Sequence, residues 1–213
     1  MKILGMTPLV GIVLATLIVF VFRSVNAPSG NLFVGTLPEQ LLLYGRLAGI
    51  LTALLFLFLL LSNGRKRTLA FLFKPASLGK WHKWIGIGIL VLLCVHAGLI
   101  FSGRALLYED SFLTVAKHFF QPFFWGGLTG TGVLVLLAVA GLSMLFLARK
   151  IKFPFWRFTH YFTYLAVFLL FWHQIFCGWD FTGSVSFRIF WILLFVLTLA
   201  DVVFWKIRSR KQE

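Results

Sequence analysis

The feature that most constrains this chain is a series of long apolar runs that are nearly free of charged residues. A run of about 18 or more such residues is typical of a transmembrane helix, because about 20 residues rising about 1.5 Å each cross the hydrocarbon core. Strands of a membrane barrel would alternate apolar and polar residues over about 10 positions, and no segment of the sequence does so. The sequence predicts six helices, at approximately 7–22, 43–61, 84–101, 128–148, 158–177 and 187–205.

The composition agrees with these spans. Of the 213 residues, 60% are hydrophobic and 12% are charged, whereas a soluble domain has about 25% charged residues. We therefore predict an all-α integral membrane protein, in which residues 1–213 form a single six-helix transmembrane bundle. The first apolar run also resembles a signal peptide cleaved after Ala27, but it is longer than the roughly 7–15 residues of such a peptide and Arg23 follows it. An uncleaved first helix is the preferred interpretation.

The basic residues are spread unevenly over the connecting segments, and this asymmetry predicts an orientation. The net charge is +14, and fifteen of the 20 Lys and Arg residues lie at the N-terminus, in two loops and in the C-terminal tail. Because Lys and Arg concentrate in cytoplasmic loops, we predict that both termini are cytoplasmic and that the first, third and fifth helices run outward. The same distribution indicates that the basic loops interact with anionic lipid headgroups instead of a nucleic acid. The basic segments are Lys2, 65–83, 149–157 and 206–211.

Four of the five histidines lie near the ends of two predicted helices. His82 and His96 are fourteen residues apart on the third helix, and His160 and His173 are thirteen apart on the fifth. These spacings correspond to rises of about 21 Å and about 20 Å. Since both helices are predicted to run outward, His82 should lie level with His160 near the cytoplasmic face, and His96 level with His173 toward the outer face.

The angular positions of the histidines are less uniform. At about 100° per residue, fourteen residues fall about 40° short of four turns, so His82 and His96 share a face of their helix. Thirteen residues fall about 140° short, so His160 and His173 do not share a face of a straight helix. Either the fifth helix is locally distorted or it passes at an angle between two offset ligands. No proline lies inside it to mark a kink.

Two levels with two imidazoles each match the needs of two stacked bis-histidine haems, because a haem iron takes two axial ligands from the protein. Zinc would need three or four protein ligands at each level, and the only carboxylate within the spans is Asp201. A single membrane histidine can instead bond a neighbouring helix, but ionisable groups in the apolar layer are costly and usually functional. His118 belongs to neither level and is interpreted as an interfacial residue.

The two histidine segments resemble the ferric reductase-like transmembrane domain family, which includes the membrane cores of ferric reductases and NADPH oxidases. The resemblance rests on "LGKWHKWIGIGILVLLCVHAG" and "FWRFTHYFTYLAVFLLFWHQ", on their spacings and on the six helices, and it covers approximately residues 44–205. The family shares the thirteen-residue spacing. The resemblance implies two haems b, with electrons arriving at an inner haem held by His82 and His160 and leaving from an outer haem held by His96 and His173.

The resemblance also gives expected roles to three basic residues. Arg46 begins the second helix on the outer side, where a family arginine lies beside the outer haem. It would pair with a propionate or stabilise reduced oxygen, and the alternative is an interfacial anchor. Lys83 and Arg157 would pair with the propionates of the inner haem, or they only reflect the cytoplasmic excess of basic residues.

Full-length family members continue into a flavin and NADPH domain, and no flavin or NAD(P) site is recognisable before Glu213. We therefore expect a membrane oxidoreductase component that takes electrons from a separate cytoplasmic flavin reductase or from a quinol. The acceptor would lie outside and would be ferric iron, oxygen or a periplasmic redox partner. Stand-alone bacterial members imply a multi-pass protein of the bacterial inner membrane. One branch, which serves a periplasmic methionine sulfoxide reductase, lacks the first histidine of the third helix, so His82 favours two complete haem sites.

Two other functions remain open at the level of sequence. A cytochrome b subunit of a quinone-linked dehydrogenase also uses paired histidines. Only the spacing of the histidines and the number of helices distinguish this sequence from such a subunit. A transporter or membrane scaffold would use its histidines for structure or for proton transfer, although the inverted repeats and broken helices of transporters are not evident.

Overall fold

The computed structural model describes residues 35–64, 75–120, 136–140, 142–143, 149–177 and 183–210. Within these residues every regular element is helical. The predicted first helix lies outside the described residues, and the predicted fourth helix is described only at 136–140 and 142–143, which are helical. The helices are α1 (Leu37–Gly64), α2 (Pro75–Leu107), α3 (Phe112–Phe120), α4 (Phe153–His160), α5 (Phe162–Cys177) and α6 (Val185–Arg210).

Two helices are long and apolar enough to cross a membrane, with candidate spans at Leu37–Leu60 of α1 and His82–Leu107 of α2. The apolar part of α6, Val185–Ala200, is shorter. Large apolar side chains are exposed along α2, α5 and α6, as expected where a helix faces lipid tails; examples are Val91, Phe168 and Leu197. The all-helical prediction is therefore confirmed for the described part of the chain.

Several helices extend beyond the apolar runs that predicted them, and α1 shows the reason at its N-terminus. Pro38 lies in the first turn, where its missing N–H costs no hydrogen bond. The backbone N–H and the hydroxyl of Thr36 both donate to Oε2 of Glu39, at 2.9 Å and 3.0 Å. This arrangement satisfies an N–H group at the start of the helix, so the helix begins six residues before the predicted boundary at position 43.

The described residues form two compact units. One contains α1, α2 and the part of α6 from Leu193 onward, and the other contains α4, α5 and the part of α6 up to Ile192. In the first unit, α1 and α2 pack antiparallel, because successive positions along α1 meet progressively earlier positions along α2. The contacts that show this order are Leu42 with Gly103, Gly45 with Ile100, and Gly49 with His96.

Glycine makes the close approach of α1 and α2 possible. A Cβ on Gly45 would lie 2.8 Å from Cδ1 of Ile100 and 3.2 Å from its backbone nitrogen. A Cβ on Gly103 would lie 2.8 Å from Cγ of Leu42 and 3.1 Å from the carbonyl oxygen of Pro38. Small residues are the usual device for such contacts in membranes, where burial of apolar surface does not drive helices together. Alanine at either position would require the two helices to separate or to repack.

The predicted fifth helix is interrupted in the second unit. α4 ends at His160 and α5 begins at Phe162, with Tyr161 between them. The N–H of Tyr161 donates to the carbonyl of Phe158 at 3.2 Å, and the N–H of Tyr164 donates to the carbonyl of Tyr161 at 3.0 Å. These bonds span three residues instead of four, and the φ of −62° and ψ of −24° at Tyr161 lie in the range of a 3₁₀ turn.

Candidate functional site

His82 and His96 lie on one uninterrupted helix, α2. A continuous helix keeps the rise of about 21 Å that fourteen residues require, so the two imidazoles are held at two separate depths along this helix. His82 is exposed in the described structure, and His96 is half-buried. Lys83 follows His82 and is also exposed.

The imidazole of His96 is fixed by a hydrogen bond to α1. Its Nδ1 lies 2.7 Å from the carbonyl oxygen of Gly45. A carbonyl oxygen can only accept a hydrogen bond, so Nδ1 must carry the hydrogen and donate it. In the neutral ring the lone pair then belongs to Nε2, which is the nitrogen left to ligate a metal. A backbone carbonyl that receives the second ring N–H is the usual partner of a metal-ligating histidine.

The same ring lies directly against Gly49, one helical turn after Gly45. A Cβ at Gly49 would lie 2.8 Å from Nδ1 and 2.9 Å from Cε1 of His96, so no larger residue fits while the ring keeps this position. Gly45 and Gly49 form a small-xxx-small pair, which is typical of closely packed membrane helices. The pair supplies both the acceptor and the space for His96.

In the second unit, His160 packs against an aromatic side chain whose own orientation is fixed. Its ring stacks on the indole of Trp156, with 5.0 Å between centroids and 24° between planes. The indole Nε1–H donates to Oγ of Ser143 at 3.1 Å, and the Ser143 hydroxyl donates to the carbonyl of Val139 at 2.8 Å. Trp156 and His160 are four residues apart on α4, which places them on one helix face. These contacts restrict the rotation of the His160 ring.

The 3₁₀ turn at Tyr161 lies between His160 and His173 and changes their angular relation. A 3₁₀ helix turns about 120° per residue instead of about 100°. Each residue wound in this way recovers about 20° of the angular shortfall of about 140° over a thirteen-residue spacing. The turn at Tyr161 therefore acts in the direction that reduces the misfit, and it is a local distortion of the kind that the spacing allowed.

His173 lies on α5, directly after Trp172 and three residues before Phe176. Its Nδ1 atom is buried. Trp172 packs against Phe176 with centroids 4.6 Å apart, and Gln174 accepts a hydrogen bond of 3.0 Å from the indole nitrogen of Trp191. Because Trp191 is only 1% exposed, this bond ties α5 firmly to the start of α6 beside His173.

The remaining predicted site residues lie in different surroundings. Arg46 follows Gly45 on α1 and is half-buried. Arg157 is exposed, and its Nε donates to the hydroxyl of Tyr161 at 3.4 Å. The side chain of His118 lies outside the described residues. The pairing of His82 with His160, and of His96 with His173, joins residues of the two units and stays a prediction.

Four residues that surround the histidines were not identified from the sequence: Gly45, Gly49, Ser143 and Trp156. The spacing of Gly45 and Gly49 was a usable signal, because small residues four apart often mark a close helix contact. The spacing of Trp156 and His160 was a weaker signal. It indicates that the two side chains share a helix face, but it does not indicate that their rings stack. Ser143 gave no signal, because its partner lies 13 positions away.

The described histidines are compatible with a haem site. No group of three or more His, Cys, Asp or Glu side chains converges in the searched part of the chain, and a haem iron needs only two axial imidazoles. The Nδ1–H bond of His96 leaves the lone pair of the neutral ring on Nε2. Beyond His82, the α2 surface at Gly86 is open, because a Cβ there would meet nothing within 4 Å. A flat ligand could approach the helix closely at that point.

Comparison with known proteins identifies one family. The family described as the ferric reductase like transmembrane component matches residues 48–171, more than half of the chain. The matched range contains His82, His96 and His160 and ends two residues before His173. Neither the curated proteins nor the solved structures give a match. With its helical structure and two candidate membrane spans, the chain belongs to the ferric reductase-like transmembrane family and is a membrane protein with the character of a redox component.

Proposed function

We propose that this protein is a di-haem b transmembrane electron-transfer protein. The observation that carries the proposal is the bond from His96 Nδ1 to the Gly45 carbonyl, 2.7 Å long. A histidine that only joined two helices could use either ring nitrogen. Here the bond leaves the lone pair on Nε2 and directs Nδ1–H to a backbone carbonyl, an arrangement that suits an axial ligand. Family membership supports the same cofactor, because transmembrane domains of this kind generally bind haem.

The proposed ligands form two pairs. His82 and His160 would hold the inner haem, and His96 and His173 the outer haem. The rises of about 21 Å and about 20 Å along α2 and along α4–α5, and the added twist at Tyr161, support this pairing. The residues beside each ligand then have a common task, which is to hold an imidazole in one orientation so that little rearrangement accompanies a change of oxidation state.

When bound, each haem would supply a site that accepts and releases one electron, a chemistry that belongs to the cofactor. The chain would position the two sites and balance their charge. Lys83 and Arg157 are proposed partners of the inner propionates, and Arg46 is a proposed partner of the outer haem or of reduced oxygen. The hydroxyl of Tyr161 already accepts a hydrogen bond from Arg157, which would restrain that guanidinium on the inner side.

We further propose the direction of electron flow. Six transmembrane helices within one domain, both termini in the cytoplasm and a position in the bacterial inner membrane would place His82 and His160 on the cytoplasmic side. Electrons would come singly from a cytoplasmic flavoprotein or from a quinol. They would pass outward to ferric iron, oxygen or a periplasmic redox partner. The excess of Lys and Arg in three segments and the tail supports this orientation and suits an acidic donor.

Haem content tests this proposal directly. A pyridine haemochrome assay on the purified protein should find two haems b per chain. His82→Ala with His160→Ala should remove one of them, and His118→Ala, a matched control outside both pairs, should leave both. A colourless wild-type protein would contradict the proposal and favour a transporter or scaffold. Reduction of the haems by quinol, but not by a flavin reductase, would exclude the flavoprotein donor and would favour the alternative of a cytochrome b subunit in a quinone-linked complex.

A further inference from the structure

The contact between His96 and α1 contains more than a choice of tautomer. The three atoms nearest to a Cβ built on Gly49 all belong to the His96 ring, at 2.8 Å, 2.9 Å and 3.5 Å. The carbonyl that receives the ring N–H belongs to Gly45, one turn earlier on the same helix. The absence of a side chain at Gly49 therefore determines how closely the ring approaches that carbonyl.

We propose that Gly49 is a positioning residue that sets the reduction potential of the outer haem through the length of the His96–Gly45 hydrogen bond. This inference rests on the proposed function. A short N–H···O bond makes the imidazole a more basic ligand. A more basic ligand stabilises the oxidised iron over the reduced iron, so the bond keeps the potential of the outer site low. Gly49 acts on the ligand and touches neither the iron nor a substrate.

The geometry gives the size of the perturbation. Ordinary van der Waals contact begins at 3.4 Å, and the Cβ of Gly49→Ala would start 2.8 Å from Nδ1. The ring would therefore have to move away from α1 by about 0.6 Å. Such a movement would lengthen the 2.7 Å bond by up to about 0.6 Å, which at its largest takes it beyond the usual range for an N–H···O hydrogen bond.

The chain offers two matched controls on the helices of this pair. Gly103→Ala creates a similar overlap between α1 and α2, 2.8 Å from Cγ of Leu42, but does not touch the histidine. Gly98→Ala changes a residue two positions from His96 where nothing lies within 4 Å of the new Cβ. Gly103→Ala measures how far disturbed helix packing alone changes the reduction potential of the outer haem. Gly98→Ala measures the effect of a Gly-to-Ala change near His96 without any overlap.

Potentiometric titration of the three variants and the wild type tests the inference. Gly49→Ala should raise the midpoint potential of the outer haem and lower the affinity of that site about 10–100-fold, the usual effect of losing a partner of a ligating histidine. The inner haem should keep its potential. Gly98→Ala and Gly103→Ala should leave both potentials unchanged. An equal shift in Gly103→Ala, or no shift in Gly49→Ala, would overturn the inference while two bound haems would still support the proposed function.

A second measurement needs no variant and applies even if Gly49→Ala fails to fold. In reduced wild-type protein labelled with ¹⁵N-histidine, the Nδ1–H of His96 should exchange slowly with solvent, because it donates a short hydrogen bond to Gly45. Rapid exchange of that proton would contradict the inference. Wild-type protein that binds no haem would remove the proposed function and this inference together.

Discussion

Ser143→Ala should weaken the support of His160, because it removes the acceptor of the Trp156 indole N–H. That bond is 3.1 Å long, and the same hydroxyl donates to the carbonyl of Val139 at 2.8 Å. Loss of the second bond should cost little, since that carbonyl retains a second lone pair for its helical hydrogen bond. Loss of the indole bond should destabilise the protein by about 1 kcal/mol, within the range measured between membrane helices.

A double-mutant cycle isolates this contribution. Trp156→Phe keeps an aromatic ring beside His160 and has no N–H to leave unpaired. In that background Ser143→Ala should cost about 1 kcal/mol less than in the wild type. Thr198→Val is the matched control, because the Thr198 hydroxyl also donates to a carbonyl four residues earlier, at 2.8 Å. It should change stability by less than about 0.5 kcal/mol.

The assay is equilibrium unfolding of the purified proteins in mixed micelles, followed by circular dichroism. Additive effects of Ser143→Ala and Trp156→Phe, within about 0.3–0.5 kcal/mol, would refute the reasoning that Ser143 acts through the indole. If Ser143→Ala destabilises the Trp156→Phe protein as much as the wild type, the Ser143 hydroxyl contributes only through its bond to the helix backbone.

Two further predictions concern the second unit and the orientation of the chain. Gln174→Leu should destabilise the protein by about 1–3 kcal/mol, because it leaves the indole N–H of the 1% exposed Trp191 without its acceptor. Trp191→Phe in the same background should recover part of that loss in the unfolding assay. Alkaline phosphatase fused after Glu213 should be inactive, because the basic tail is predicted to stay in the cytoplasm. The same enzyme fused after Tyr108 should be active, because α2 is predicted to run outward. The reverse pattern would exclude the predicted topology.

The helical class and the membrane location could be predicted from the sequence because both depend on local composition. The apolar runs located α1 and α2 correctly, but they gave boundaries that were too short, since capping by Thr36 and Glu39 extends α1 outside its apolar run. The interruption at Tyr161 could not be located, because no proline or glycine marks it. The angular misfit of His160 and His173 nevertheless indicated either a local distortion of that helix or its passage at an angle between two offset ligands.

The sequence by itself determined the positions of the four histidines along their helices, because the rise per residue of a helix is fixed by its backbone geometry. It also determined that the chain is a membrane protein of this family. Only the tertiary structure decided which nitrogen His96 presents, because the acceptor that fixes the tautomer lies 51 positions away on α1. Glycine at positions 45 and 49 lets the His96 ring approach that carbonyl closely. The effect of the missing Cβ atoms appears only when α2 packs against α1. The "WIGIGILVLLCVHAG" segment supplies His96, and α1 gives the ring of His96 its orientation.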